Sequence, residues 1–395
     1  MKNKLEKYLN NRNIGGLMQK RIRIISFSIV LAILLIGIIV MNNNSNNKYS
    51  FTQDGIKYAI TLDGEKVISF PTKGMYKVQV ACDGADGSWL YDEWSLSLEN
   101  VIGDISCDIN FNTITKTNLN DYIISLAGTT QGTGQVVNEN GYRYEGKNPN
   151  NYIWFNNEYW RIIGVFDSAS HGQANKNLVK IIRDGVLDGL AWHKSNTNDW
   201  AAASLNLLLN GAYYNAEDGT NSGYCYGYST TMSANCDYTK KGIQSGYRGM
   251  IANITWYLGG HSSTSTTAES FYGYERGTTA YSGNATTTTG YIGLMYPSDY
   301  GYSVLSSSCA RTTNLGSYNN ATCAGQSWLY GKGIEWTLTT DSSDSSNVFG
   351  LGSSGGLGND YANNGLGSRP VLYLDASVYK IEGDGSMNSP YIIGM

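Results

Sequence analysis

Residues 152–166 read YIWFNNEYWRIIGVF, and residues 178–184 follow with LVKIIRD. Two aromatic and aliphatic runs meet at Asn156-Asn157. Asparagine tolerates the positive φ of a tight turn, so the first stretch predicts a β-hairpin and the second a third strand. The period then changes. Across residues 199–213, Ala201, Leu205, Leu208 and Ala212 recur at helical spacing behind Asn198, a suitable N-cap. Ile243, Tyr247, Met250, Ile254 and Tyr257 repeat the pattern up to Gly259-Gly260, which predicts a second helix. Residues 262–289 are rich in Ser, Thr, Gly and Tyr without periodicity and read as a long surface loop. GIEWTLTT, NVFGLG and RPVLYLD restore the strand pattern, and the chain closes on KIEGDGSMNSPYII, in which EGDGS reads as a hairpin turn. Hairpins and two helices define an α+β domain over 141–395.

Upstream, residues 113–140 contain GTTQGTGQ and read as a linker. Residues 57–112 carry KYAITL, KVISF, YKVQVAC, WSLSLENV and ISCDINF, period-two stretches split by Asp63-Gly64 and Asp86-Gly87. They predict a small all-β module with Trp89 and Trp94 as apolar bulk. Residues 42–56 form a polar spacer. Before it lies IISFSIVLAILLIGIIVM, residues 24–41, an uncharged run within the length needed to cross a bilayer as a single transmembrane helix. No small-residue cleavage site closes the run, which reads as an uncleaved anchor. Residues 1–23 hold seven Lys and Arg against Glu6 alone, so the positive-inside rule places this basic tail in the cytoplasm and the remaining domains outside, at the plasma membrane.

The chain carries −4 overall, which leaves −10 after the span. An acidic ectodomain argues against nucleic acid as a partner. The six cysteines, Cys82, Cys107, Cys225, Cys236, Cys309 and Cys323, all follow the span. An oxidising exterior favours disulfides, and neighbours in sequence suggest 82 with 107, 225 with 236 and 309 with 323. Their spacing is not that of a metal site, and no cofactor is expected.

The segments YRYEGKNPNNYIWFNNEYWRIIGVF, NDWAAASLNLLLNGAYYN, IGLMYPSDYGY, WTLTT and SRPVLYLDASVYKIEGDGSMNSPYII resemble a family of uncharacterised surface proteins of Firmicutes gut bacteria. Their order is similar to the C-type-lectin-like fold shared with formylglycine-generating-enzyme-like domains. The resemblance implies a lectin-like domain over 141–395. Calcium-dependent sugar lectins resemble one another in Glu-Pro-Asn or Gln-Pro-Asp plus Trp-Asn-Asp; the nearest run here is Lys147-Asn148-Pro149-Asn150. Cys309 and Cys323 lie outside the RPV segment, so sulfatase-activating chemistry is not carried over.

Catalytic signals are sparse. His171, His193 and His261 sit in Ser, Asn and Gly surroundings without H-E-x-x-H or G-x-S-x-G, and His193 near Asp199 reads as a solvated loop. Glu335 and Asp341 are a conceivable glycosidase pair. Asp83, Asp86 and Asp92 lack EF-hand spacing and read as turn residues. Residues 350–358 lack the Lys-Ser/Thr of a phosphate loop. The aromatic content, 31 Tyr and 9 Trp, points instead to non-catalytic recognition, since tyrosine offers rigid contact area at low entropy cost. By analogy with lectin-like folds, the expected contact residues for an extracellular glycan or protein are Tyr296, Tyr300, Tyr302, Trp328 and Tyr330. An envelope hydrolase acting on glycan or peptidoglycan and a passive structural envelope protein are the alternatives.

Overall fold

A computed structural model describes residues 22–25 and 48–395, apart from 75, 92, 114–115 and 228–233. The chain divides into two compact units, 1–115 and 116–395, built mostly of sheet with short helices.

In the first unit, Phe51–Gln53, Ile56–Leu62, Ile105–Thr113 and Tyr76–Asp83 form a sheet in that order, with Glu65–Val67 beside Ile56–Leu62. Strands Ile56–Leu62 and Ile105–Thr113 run parallel; the other pairs are antiparallel. The alternation read in ISCDINF is kept, with Cys107, Ile109 and Phe111 facing inward. A second sheet joins Asp86–Leu90 to Ser95–Glu99, and both sheets share a core in which Trp89 meets Trp94 and Phe111 edge-on at 5.3 and 5.0 Å. Such edge-to-face pairs add to the burial of the rings themselves. Cys82 lies directly opposite Cys107, and the two are bonded.

The expected transmembrane helix over residues 24–41 is not shown. Residues 24 and 25 end a strand, Ile22–Ile25, paired antiparallel with Leu98 to Ser95, and residues 26–41 lie outside the described residues. Among the described residues no helix is long and apolar enough to cross a membrane. The basic tail to Arg21 and residues 42–47 of the spacer likewise lie outside them.

The second unit is organised by an antiparallel sheet in the order Thr130–Gln131, Thr133–Asn138, Tyr142–Asn148, Glu158–Phe166, Leu178–Arg183, Val371–Tyr373, Ile292–Gly293. Tyr152–Phe155 pairs with Glu158–Phe166 in the expected hairpin; Asn156 and Asn157 have φ of 56° and 60°, the two positive values that a type I′ turn requires. The Asn156 side chain also fixes the turn, donating to Gly242 O and accepting from Gln244 N. A further sheet orders Leu187–Ala191, Gly365–Ser368, Glu335–Thr340, Asn347–Leu351 and Leu357–Tyr361. The EGDGS turn joins Tyr379–Glu382 to Ile392–Gly394, with Gly383 and Gly385 at φ of 90° and 79°.

Four sequence expectations change. Residues 117–138, expected within a linker, contain the helix Leu119–Ser125 and the strand Thr133–Asn138, both in the second unit; Leu119 and Ile123 are buried in its core. The helix expected across 243–257 is one turn, Ser245–Arg248, followed by the strand Ile254–Tyr257. Four of its five apolar residues, Ile243, Tyr247, Met250 and Ile254, enter the core and Tyr257 is half-buried, while β-branched Ile254-Thr255 pairs with Thr287–Gly290. Residues 262–289 hold the helix Ala268–Glu275, capped by the Thr267 hydroxyl on Ser270 N. The amphipathic segment over 199–213 is helical but broken at Ala203, and its cap is Asp199 rather than Asn198. Asn198 instead donates to the carbonyls of Asp341, Asp344 and Asn347.

Candidate functional site

The five expected contact residues divide by burial. Tyr296, Tyr300 and Tyr302 belong to the segment YPSDYGY, whose helix Pro297–Ser303 is buried along its whole length. Tyr296 donates to Tyr257 O and accepts from Tyr257 N; Tyr300 donates to Gly355 O; Tyr302 accepts from Asn140. With 0 to 3% of their surface exposed, these three rings are packing, not contact area. An aromatic face built on them is therefore corrected to a core that happens to be tyrosine-rich, its hydroxyls satisfied as buried polar groups require.

Trp328 and Tyr330 have a different setting. With Lys147, Asn320, Gly325 and Gln326 they line a concavity of about 390 Å³ in the second unit. Trp328 forms its floor: the indole N donates to Tyr144 O, and the ring lies 4.8 Å from the Arg161 guanidinium, which faces Tyr152 at 4.0 Å. Tyr330 is half-buried and donates to Ser353 O, tying the 350–358 turn to the wall. The rim is the loop closed by Cys309–Cys323, and Ser327 next to Trp328 is held by a 2.5 Å hydroxyl contact to Ser303. A Cβ at Gly325 would meet Asn320 O at 2.3 Å, so glycine is what lets the rim fold this tightly.

The side chains of Lys147, Asn320 and Gln326 have no hydrogen-bond or ion-pair partner among the described residues. They present an ammonium and two amides to the same hollow. Each amide both donates and accepts, and the ammonium donates three bonds.

Deeper in the unit lies a cluster that the sequence reading missed. Lys180, in the middle of Leu178–Arg183, points its Nζ at Asp299 Oδ2 at 2.5 Å, and Arg143 Nη1 donates to Asp299 Oδ1 at 3.0 Å. Lys180 and Asp299 side chains are fully buried and that of Arg143 is 1% exposed. The Arg143 guanidinium sits 4.5 Å from the Phe166 ring and 4.6 Å from Tyr302. Burial pushes the Lys180 amine down to about 8 against the pull of Asp299. Burial pushes the Asp299 carboxyl up, but the Lys180 and Arg143 charges reverse this and hold it below the ordinary value. Beside it, Glu275 accepts from Ser298 N and Oγ and pairs with Arg276; burial raises it to about 7. The one sequence signal was a lysine inside an apolar strand run.

The remaining candidates disperse. His193 is buried, and its Nδ1 accepts from Ser195 N, while Asp199 caps Ala201. His171 is likewise buried, and His261 stacks on Tyr274 at 4.0 Å. Glu335 opens a strand and is paired with Arg369; Asp341 follows its end and caps the Ser343 turn. Their partners Leu351 and Asn347 are four strand residues apart, which puts the two backbones roughly 13 Å apart, beyond the about 5 to 9.5 Å of a glycosidase pair. Asp83 and Asp86 serve Ser106 and Asn100, and Asp92 lies outside the described residues. No group of metal-ligating side chains occurs among the described residues. The cysteines form three disulfides, Cys82–Cys107, Cys225–Cys236 and Cys309–Cys323, consistent with an extracellular protein.

Comparison with known protein families, with curated proteins and with solved structures gives no match.

Proposed function

We propose that the chain is a membrane-anchored surface recognition protein whose second unit, a lectin-like domain, binds an extracellular glycan in the hollow between Lys147 and Tyr330. The observation that carries this reading is the convergence of unpartnered Lys147, Asn320 and Gln326 on one concavity beside Trp328 and Tyr330. A sugar offers hydroxyls that both donate and accept, which the two amides match in kind, and Tyr330 supplies an aromatic edge at the same hollow. The three disulfides and the apolar run 24–41 behind a basic tail support display outside the cell. The disulfide-closed loop Cys309–Cys323 at the rim favours a preformed site, which reduces the ordering cost of binding.

A glycan array and a protein array probed with residues 51–395 test the proposal. Retention of a defined set of glycans, lost on Gln326→Ala, supports it. Signal at background on both arrays, with a native near-ultraviolet circular dichroism spectrum, rejects it. Retention of protein alone moves the ligand class to protein.

A further inference from the structure

We propose that Lys180 and Asp299 are a self-modification site: the Lys180 Nζ condenses with the Asp299 side-chain carboxyl to form an intramolecular amide. The bond ties the central strand Leu178–Arg183 to the helix Pro297–Ser303 across 119 residues of sequence.

The geometry carries the inference. The two reacting groups are 2.5 Å apart, N to O, fully buried and walled by aromatic rings, with Tyr296 at 4.4 Å and Tyr373 at 5.5 Å from Nζ. Reactants held in contact by a rigid core gain an effective concentration on the order of 10⁵ M or more over free partners. A buried ion pair is also a poor resting state, because desolvation of both charges offsets their attraction. Condensation removes both charges at once.

The chemistry balances without a co-reactant. Within the ion pair a proton passes from the Lys180 ammonium to Asp299 Oδ2, giving a neutral amine and a neutral acid. Burial works toward that exchange by bringing the amine down to about 8, while the Arg143 charge, which holds the Asp299 carboxyl below its ordinary value, works against it and makes the neutral pair a minor, reactive state. The nitrogen lone pair then attacks Cγ. Negative charge develops on Oδ1, where Arg143 Nη1 already donates at 3.0 Å. The C–Oδ2 bond breaks, Oδ2 takes a second proton from the attacking nitrogen, and one water leaves. Ammonium plus carboxylate become amide plus water, with no change in net charge or oxidation state. Afterwards Arg143 donates to the amide carbonyl and keeps its two ring faces, Phe166 and Tyr302.

The test is mass spectrometry of the full chain after disulfide reduction. The expected result is a mass lower by one water and a tryptic product in which the peptides bearing Lys180 and Asp299 are joined. Lys180→Arg keeps the positive charge but cannot condense under these conditions, so its mass is expected to return to the full sequence value. Tryptic cleavage after Lys180 in the native protein, with no joined peptide, overturns the proposal. So does a water loss that persists in Lys180→Arg, because dehydration then lies elsewhere. Should Lys180→Arg fail to fold, the joined peptide from the native chain still decides the matter.

Discussion

At the scale of single residues the account turns on which polar groups are buried with partners and which are not. Asp299→Ala leaves the Lys180 ammonium and the Arg143 guanidinium in a dry site with neither counter-ion nor amide partner, a loss of at least the about 3 to 5 kcal/mol that breaking a buried pair costs. Urea unfolding measures it. A loss below about 1 kcal/mol, the scale of an exposed ion pair, contradicts the assignment. Two groups in the same unit titrate in opposite senses. His171 accepts from Gln173 N at Nδ1 and contacts Phe166 O through Nε2, and burial holds it below its ordinary value of 6.5. Its folded pKa is lowered, so its contribution is intact above 6.5 and is lost as pH falls below that value. Glu275 is raised from 4.5 to about 7, so the folded state disfavours its carboxylate and the cost grows as pH rises through that window. The stability of Glu275→Gln relative to the native protein is therefore expected to improve between about pH 4.5 and pH 7, read from denaturation midpoints. A difference that stays flat with pH rejects the assigned shift.

Elements were legible in sequence where the pattern was local and the turn chemistry explicit. The hairpin at Asn156-Asn157 needs two positive φ values, and two asparagines announce them. The helix across 243–257 was misread because its apolar residues recur at helical spacing and are nearly all buried, yet one turn followed by a strand buries the same side chains. Periodicity reports burial, while the partner strand Thr287–Gly290 decides the conformation. The same limit explains Tyr296, Tyr300 and Tyr302. Composition counts aromatic rings but does not say which face the core, and only Trp328 and Tyr330 of the five meet the hollow. Lys147 comes from a strand more than 170 positions upstream of Asn320, so no local pattern could join them. At this scale the Cys309–Cys323 disulfide is expected to hold the rim. Its replacement by a serine pair should cost about 3 kcal/mol, the chain-entropy value for a loop of this length, and weaken ligand binding more than the same change at Cys225–Cys236. Thermal unfolding and binding of the strongest array ligand measure the two effects separately; equal binding losses for both pairs contradict a local role.

For the whole molecule, composition and cysteine count set the class of protein more firmly than its chemistry. Three disulfides in neighbouring pairs are consistent with an extracellular protein, and the apolar run of 18 residues behind a basic tail is the basis of the proposed tether. Cell fractionation is the check on the tether: the full chain is expected with membranes and residues 51–395 in the soluble fraction, and an equal distribution of both contradicts an anchor at 24–41. The central claim, that the hollow beside Trp328 is the recognition site, is tested most directly by titrating the strongest array ligand against the native protein, Gln326→Ala and Lys147→Glu. The substituted side chains line the hollow and make no hydrogen bond or ion pair among the described residues, so folding should be unchanged. A loss of affinity of about tenfold or more in each variant, the worth of roughly one hydrogen bond to a charged or well-placed group, is the expected result. Native affinity in both variants places the ligand elsewhere and contradicts the account.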